Sequence, residues 1–160
     1  MRSMLFPLLA ALPAGIAVGA DPVEVTETVE INAPASQVWE AMKHFDGLHT
    51  WHPAVANTEI TEGESNTVGA VRKLTLGDGG VIMETLEAHD DGAMSFSYSM
   101  GETVLPVADY TSTKTVSGDH SSAQVTWSGR FQPTTEDAAA VISTVYRAGL
   151  DNLKTQLEAN

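Results

Sequence analysis

The sequence predicts an α+β domain: a seven-stranded antiparallel sheet wrapped around one long C-terminal helix, with two short helices after the first strand. Three observations lead there. Residues 23–53, VEVTETVEINAPASQVWEAMKHFDGLHTWHP, pass from a period-two run through a proline into a helical period. From there to residue 133, short apolar alternations are cut by turn residues and no long helical period interrupts them. Only after Thr134 does a 3.6-residue period return, and it runs nearly to the end of the chain.

Val25, Val29 and Ile31 fall at the even spacing of a half-buried strand. Asn32 is placed to cap a helix entered through Pro34, whose fixed φ suits a first turn, and Val38, Trp39, Met42 and Phe45 follow at helical spacing. The next stretch, FDGLHTWHP, is too aromatic for an ordinary linker and too rich in Gly and Pro for a regular helix. Trp51 and His52 are therefore expected where the chain bends over something, at the mouth of a site.

Turn signals at Glu62-Gly63-Glu64-Ser65-Asn66, Gly77-Asp78-Gly79-Gly80, Asp90-Asp91-Gly92 and Ser117-Gly118-Asp119 separate runs near 54–61, 69–76, 81–89, 94–101, 108–117 and 123–132. With the first strand these make a seven-stranded antiparallel meander. Met94, Phe96, Tyr98 and Met100 alternate with Ser95, Ser97 and Ser99, as in a sheet covered on one side only. The cover is the last helix. Thr134-Thr135-Glu136-Asp137 reads as a capping-box start, and Ala138, Val141, Ile142, Val145, Tyr146, Gly149, Leu150, Leu153 and Leu157 form a broad apolar face. Some 24 residues of helix would span about 36 Å, enough to cross the sheet. Gly149 weakens such a helix by about 1 kcal/mol and leaves space beside its backbone. That space serves either close helix–sheet packing or a cavity.

At 160 residues and 42% hydrophobic, the chain suits one domain with a real core, residues 21–160. Residues 1–20 read as a signal peptide: Arg2 is the one early charge, an apolar run broken by Pro7 and Pro13 follows, and Val18-Gly19-Ala20 offers small residues for cleavage. The mature protein is expected to begin near Asp21, in the periplasm or secreted, with no membrane span. The chain has no cysteine, which excludes disulfides and thiolate chemistry. With 21 acidic against 8 basic side chains it carries a formal charge of −13, so nucleic acid is not an expected partner, whereas a basic periplasmic protein is compatible with it.

The blocks VTETVEINAPASQVWE, WHPAV, VRKLTLGDGG, FSYS, VADYTSTKTV and VTWSGRF resemble the START/Bet v 1-like (SRPBCC) helix-grip superfamily, and within it the polyketide cyclase/dehydrase-type group. The likeness covers the whole mature chain and extends to the small exported MxaD-like proteins of methanol-oxidation gene clusters. Those carry an extra segment before the last helix, whereas here Phe131 reaches Thr134 almost directly. The group is also similar to plant abscisic-acid receptors. That resemblance places His52 where the receptors carry the lysine that meets the ligand carboxylate, and Trp51 at the preceding tyrosine. It also sets Arg72 and Glu84 at an arginine and a glutamate around ligand and water. The receptors' gate and latch sequences are absent near Gly77 to Gly80 and Glu102 to Pro106, so the resemblance does not imply abscisic acid as ligand.

Strand alternation puts Arg72 with Leu74, Glu84 with Ile82, Tyr98 with Phe96, and Tyr110 with Ser112 on common faces. If the apolar members face inward, the polar ones do too, and must be paired or wetted. Arg72 and Glu84 are then either a structural ion pair near a sheet rim or an anchor for a polar ligand group. Trp127 and Phe131 suit a cavity wall. The candidate ligand-binding set is Trp51, His52, Arg72, Leu74, Glu84, Phe96, Tyr98, Tyr110, Trp127, Tyr146 and Gly149. No cofactor motif occurs. His44, His49 and His52 lack the spacing and companion ligands of a metal site, and His89 and His120 fall in turn regions where solvation is expected. Three functions are consistent with these residues. One is an exported binding or accessory protein for a lipid, terpenoid or aromatic polyketide, a small apolar molecule with a polar group. A second is a cyclase or aromatase with His52 or Glu84 as base and Tyr98 or Arg72 steadying an enolate. A third is a docking factor for a periplasmic redox system of the methanol dehydrogenase type.

Overall fold

The computed structural model describes residues 21–159, so the expected signal peptide lies outside the described residues. Seven antiparallel strands form one sheet: β1 (Val23–Ile31), β2 (Val55–Glu62), β3 (Val71–Leu76), β4 (Val81–Asp90), β5 (Ser95–Met100), β6 (Val107–Gly118) and β7 (Ala123–Pro133). Helix α1 (Ala35–Met42) and a single 3₁₀ turn at Leu48–Thr50 follow β1, and helix α2 (Ala138–Glu158) ends the chain. The helix-grip architecture expected from the sequence is the one observed. No described helix is long and apolar enough to cross a membrane.

The strand order is β1-β7-β6-β5-β4-β3-β2, which corrects the expected meander at one point. Strands β2 to β7 are a meander, but β1 pairs with β7, Val23 opposite Phe131 and Ile31 opposite Ala123. Helix α1 and the 3₁₀ turn therefore carry the chain from one edge of the sheet to the other. Apolar residues on the concave face (Val29, Leu74, Ile82, Leu86, Phe96, Val125, Phe131) meet Ile142, Leu150 and Leu153 of α2, all buried. The opposite face is wet. There Ser95 and Ser97 of β5 form hydroxyl bonds with Thr115 and Thr113 of β6 at 2.9 and 2.8 Å.

Both helix starts differ from expectation, for the same reason: another group holds the capping residue or its target. Pro34 itself occupies the cap position of α1, and the amide of Asn32 donates to the Glu158 carboxylate at 2.9 Å instead of its side chain capping the helix. The Ala35 amide is satisfied by the Asp119 carbonyl in the β6–β7 turn. Helix α2 begins at Ala138, four residues after Thr134, because the Thr135 hydroxyl bonds the Asp137 carboxylate and no capping box closes. Its 21 residues span about 31 Å. Arg147 ties α2 to β1 through the Glu27 carboxylate and the Thr28 carbonyl, and Lys154 reaches the Glu30 carbonyl at 2.6 Å.

Candidate functional site

Cross-strand register brings the interior polar groups together. Arg72 of β3 stands directly opposite Glu84 of β4, both buried, with Nε donating to Oε2 at 2.6 Å and Nη2 at 2.5 Å from the same oxygen. Nη1 donates to the Phe45 carbonyl at 2.8 Å, and the guanidinium lies 4.2 Å from the Phe45 ring centre and 5.2 Å from that of Tyr98. Both members are buried, so the pair is interior and does not sit at a solvated rim.

Between α2 and the sheet lies a cavity of about 70 Å³. Val55, Leu74, Ile82, Glu84, Tyr98, Tyr110 and Trp127 line it from the sheet, Leu48 and His52 from the 3₁₀ segment, and Ile142, Val145 and Tyr146 from α2. The volume is about that of two waters, so a larger guest must push side chains aside. Seven of the eleven sequence candidates line this space. Trp51, Arg72, Phe96 and Gly149 do not.

Trp51 is buried and packs edge-on to Trp127 with ring centres 5.7 Å apart, so it lies inside the core and not at a mouth. Gly149 makes room for a side chain, not for a void: a Cβ there would sit 2.6 Å from His52 Cδ2 and 3.0 Å from Trp127 Cζ3. His52 uses that room. Its Nε2 donates to the Val145 carbonyl at 2.8 Å and its Nδ1 accepts the Ala54 amide at 3.2 Å, which fixes a neutral tautomer with both nitrogens engaged. Burial holds its pKa below the ordinary histidine value, despite the bond to Val145. Asn152 and Gln156 of α2 also reach back, to the carbonyls of Trp51 and Thr50, so the 3₁₀ segment is clamped to the last helix. His89 differs from expectation too. It is half-buried, stacked on Phe96 and bonded through Nε2 to the Lys43 carbonyl, whereas His120 is exposed as expected. Among the described residues no three His, Cys, Asp or Glu side chains gather to hold a metal ion.

A hydroxyl network borders the cavity. Trp127 Nε1 donates to Ser112 Oγ at 3.0 Å and to the Tyr98 hydroxyl at 3.1 Å, Ser112 donates to the Ser128 carbonyl, and the Tyr110 and Tyr146 hydroxyls bond each other. Trp127 stacks on Tyr146 at 4.4 Å, and Gly129 lets that ring lie against β7, since a Cβ at Gly129 would be 2.1 Å from the Tyr146 hydroxyl. Burial raises the pKa of all three tyrosines, Tyr146 to about 12, so they stay protonated donors near neutral pH.

One central residue was missed from the sequence. Lys114 of β6 is completely buried, its neighbours across the ladder being Phe96 and Trp127. Its Nζ has no hydrogen-bond partner and lies 4.0 Å from the Trp127 ring centre, 4.6 Å from Tyr98, 5.0 Å from Phe96 and 5.7 Å from Trp51. Burial first, and the Arg72 charge second, pull its pKa well below the ordinary lysine value. Magnitudes agree: aromatic faces return about 2 kcal/mol to a desolvated cation, less than the several kcal/mol it costs to bury one. Continuing the alternation Tyr110, Ser112 by one more step would have found it.

A family model described as polyketide cyclase/dehydrase and lipid transport matches residues 22–158. The chain is similar to the solved structure of the protein XoxI from Bacillus cereus, at 31% identity over 84% of this chain and 95% of that one, with a TM-score of 0.78. The ZhuI aromatase/cyclase from Streptomyces sp. R1128 shares the fold at 21% identity, covering 86% of this chain and 94% of that one, TM-score 0.74. MLP-like protein 423 from Arabidopsis thaliana is 29% identical over 119 residues, 68% of this chain and 76% of that protein.

Proposed function

Since the chain belongs to the polyketide cyclase/dehydrase and lipid transport family, we propose that it is a binding protein for a small apolar molecule with a polar group, held beneath α2. The observation that carries this reading is the cavity itself. Its walls are almost entirely apolar, and its polar edge is confined to His52, Glu84 and the hydroxyls of Tyr98, Tyr110 and Tyr146. Such a lining rewards an aromatic or terpenoid body and orients one oxygen. Binding is favoured over cyclase chemistry because the two candidate bases are engaged. His52 has both ring nitrogens bonded, and the Glu84 carboxylate is ion-paired through Oε2 with Arg72.

Uptake of an apolar fluorophore such as N-phenyl-1-naphthylamine, by titration and native mass spectrometry, tests the proposal. Val145, half-buried on the cavity side of α2, offers the control. Val145→Phe should fill the space while the fold is kept, lowering affinity by about tenfold or more, the equivalent of 1.4 kcal/mol. Undiminished one-to-one uptake by the folded variant would place the binding site elsewhere. We propose in addition that the protein works after export, on the strength of the apolar run ending at Val18-Gly19-Ala20. Mass analysis of the protein from a periplasmic fraction should give an N-terminus near Asp21, and an intact Met1 on soluble cytoplasmic material would refute it.

A further inference from the structure

The Lys114 amine is left over once the cavity, the ion pair and the hydroxyl network have been accounted for. Its position is unusual for a structural lysine. A snorkelling lysine buries its stem and keeps the ammonium in water, but here the Nζ end is as buried as the stem and no carboxylate, carbonyl or hydroxyl accepts from it. The charged and titratable groups that act on it are Arg72 of β3, Glu84 of β4, Tyr98 of β5 and His52. Arg72 already neutralises Glu84, Tyr98 stays protonated and His52 is neutral. A proton on Lys114 would therefore be an uncompensated buried charge beside a guanidinium. An amine held in this way keeps its lone pair, and a desolvated lysine next to another cation is the arrangement that activates amines toward carbonyl carbon. Two of the rings that box the amine, Tyr98 and Trp127, also line the space beneath α2, so the amine and the cavity share these two side chains.

We propose that Lys114 captures small aldehydes or ketones that enter through this cavity, holding them as an imine. The lone pair of Nζ attacks the carbonyl carbon and the π pair moves to oxygen. One amine hydrogen passes to that oxygen to give a carbinolamine. The C–O bond then breaks as the nitrogen pair forms C=N, and the second amine hydrogen leaves with the oxygen as water. The balance is one carbonyl and one primary amine to one imine and one water, with no redox partner. Hydrolysis reverses it, so the capture is covalent yet releasable. The cavity volume admits a molecule of only a few heavy atoms without rearrangement, which sets the class as small carbonyl compounds.

The inference rests on the proposed interior binding site, and the experiment separates the two. The purified protein is treated at neutral pH with propanal and cyanoborohydride, which reduces any imine to a stable secondary amine, and the modified lysines are located by peptide mapping. The three other lysines, Lys43, Lys73 and Lys154, are internal controls. Lys43 and Lys154 are paired with the Glu40 and Glu158 carboxylates. Each pKa unit of depression gives about tenfold more free amine, so Lys114 should be alkylated at least tenfold faster than Lys73. Lys114→Met should abolish that product alone, with its circular dichroism unchanged. As a reading independent of entry, the Lys114 Cε carbon resonance should sit at its neutral-amine position at pH 7. Alkylation confined to Lys43, Lys73 and Lys154, or an ammonium-type Cε resonance, would overturn the proposal. Fluorophore uptake measured on the same protein then decides the other reading: labelling without uptake rejects the apolar binding site and keeps the lysine, and uptake without labelling does the reverse.

Discussion

Replacing Lys114 by methionine gives a test in which thermodynamics fixes both sign and size. In the folded protein burial and Arg72 depress the lysine pKa well below 10.5, while the unfolded chain returns to that value. Between the two values the unfolded state carries one more proton than the folded state. Stability therefore rises with pH by up to about 1.4 kcal/mol per unit; the penalty is gone above the unfolded value and grows as pH falls toward the folded one. Two other perturbations bound the usable window. The raised pKa values of Tyr98, Tyr110 and Tyr146 make stability fall again once unfolded tyrosines ionise near pH 10, and the lowered pKa of His52 costs stability only below about pH 6.5. From pH 7 to about pH 9 the slope belongs chiefly to Lys114. Urea unfolding at half-unit steps should show that slope in the parent and a nearly flat line for Lys114→Met. The variant should be the more stable protein at pH 7 by about 1–4 kcal/mol, since an apolar chain of similar length replaces an unpaired buried polar group. Parallel lines, or a variant less stable than its parent throughout, would show that the folded lysine keeps its proton.

Arg72→Met leaves the Glu84 carboxylate buried and Glu84→Gln leaves the guanidinium so; each should cost about 3–5 kcal/mol in urea melts, and losses under about 1 kcal/mol would mean a solvated pair. The double variant Arg72→Met/Glu84→Leu should recover much of that loss, because no charge is stranded. Gly149→Ala ought to gain about 1 kcal/mol from helix propensity, yet its methyl would meet His52 at 2.6 Å; a net loss of stability is expected, and a more stable variant would show that His52 is not held there. Gly129→Ala should likewise destabilise by about 1–3 kcal/mol through overpacking against Tyr146. Tyr146→Phe in the same chain should restore part of it, and no rescue would mean that the hydroxyl is not the obstacle.

What the sequence made legible follows from how local each cause is. Strand alternation is a two-residue property, and it was enough to place all seven strands and to set Arg72 across from Glu84, because register and face follow from the same pattern. Helix starts were less legible. Thr135 and Asp137 have the chemistry to cap α2 but bond each other, and the α1 amide is satisfied by Asp119 from a turn distant in sequence. The strand neighbour of β1 was misplaced for a similar reason, since sequential strands usually pair and nothing local to β1 says that the chain will cross the sheet first.

The site shows the same division more sharply. Gly149 announced that space was needed beside α2, but only the fold reveals that a histidine from the 3₁₀ segment takes it, bonding the carbonyl one helical turn before. Lys114 was hidden by composition rather than by distance. In the run Tyr110, Ser112, Lys114, Val116 the alternation points inward at every member, and the sequence reading stopped at Ser112. A lysine amid threonines suggests a wet face, because lysines are almost never fully buried. The register settles it: a residue between Phe96 and Trp127 on a face closed by α2 has aromatic rings where water would be. The aromatic residues that made this chain look like a ligand holder therefore have two effects at once. By filling the grip they reduce the cavity to about 70 Å³, and by excluding water they pull the pKa of one amine well below its ordinary value. A guest that suits this interior has to be small or able to part the rings, and it gains most if it brings a group that a neutral amine can use.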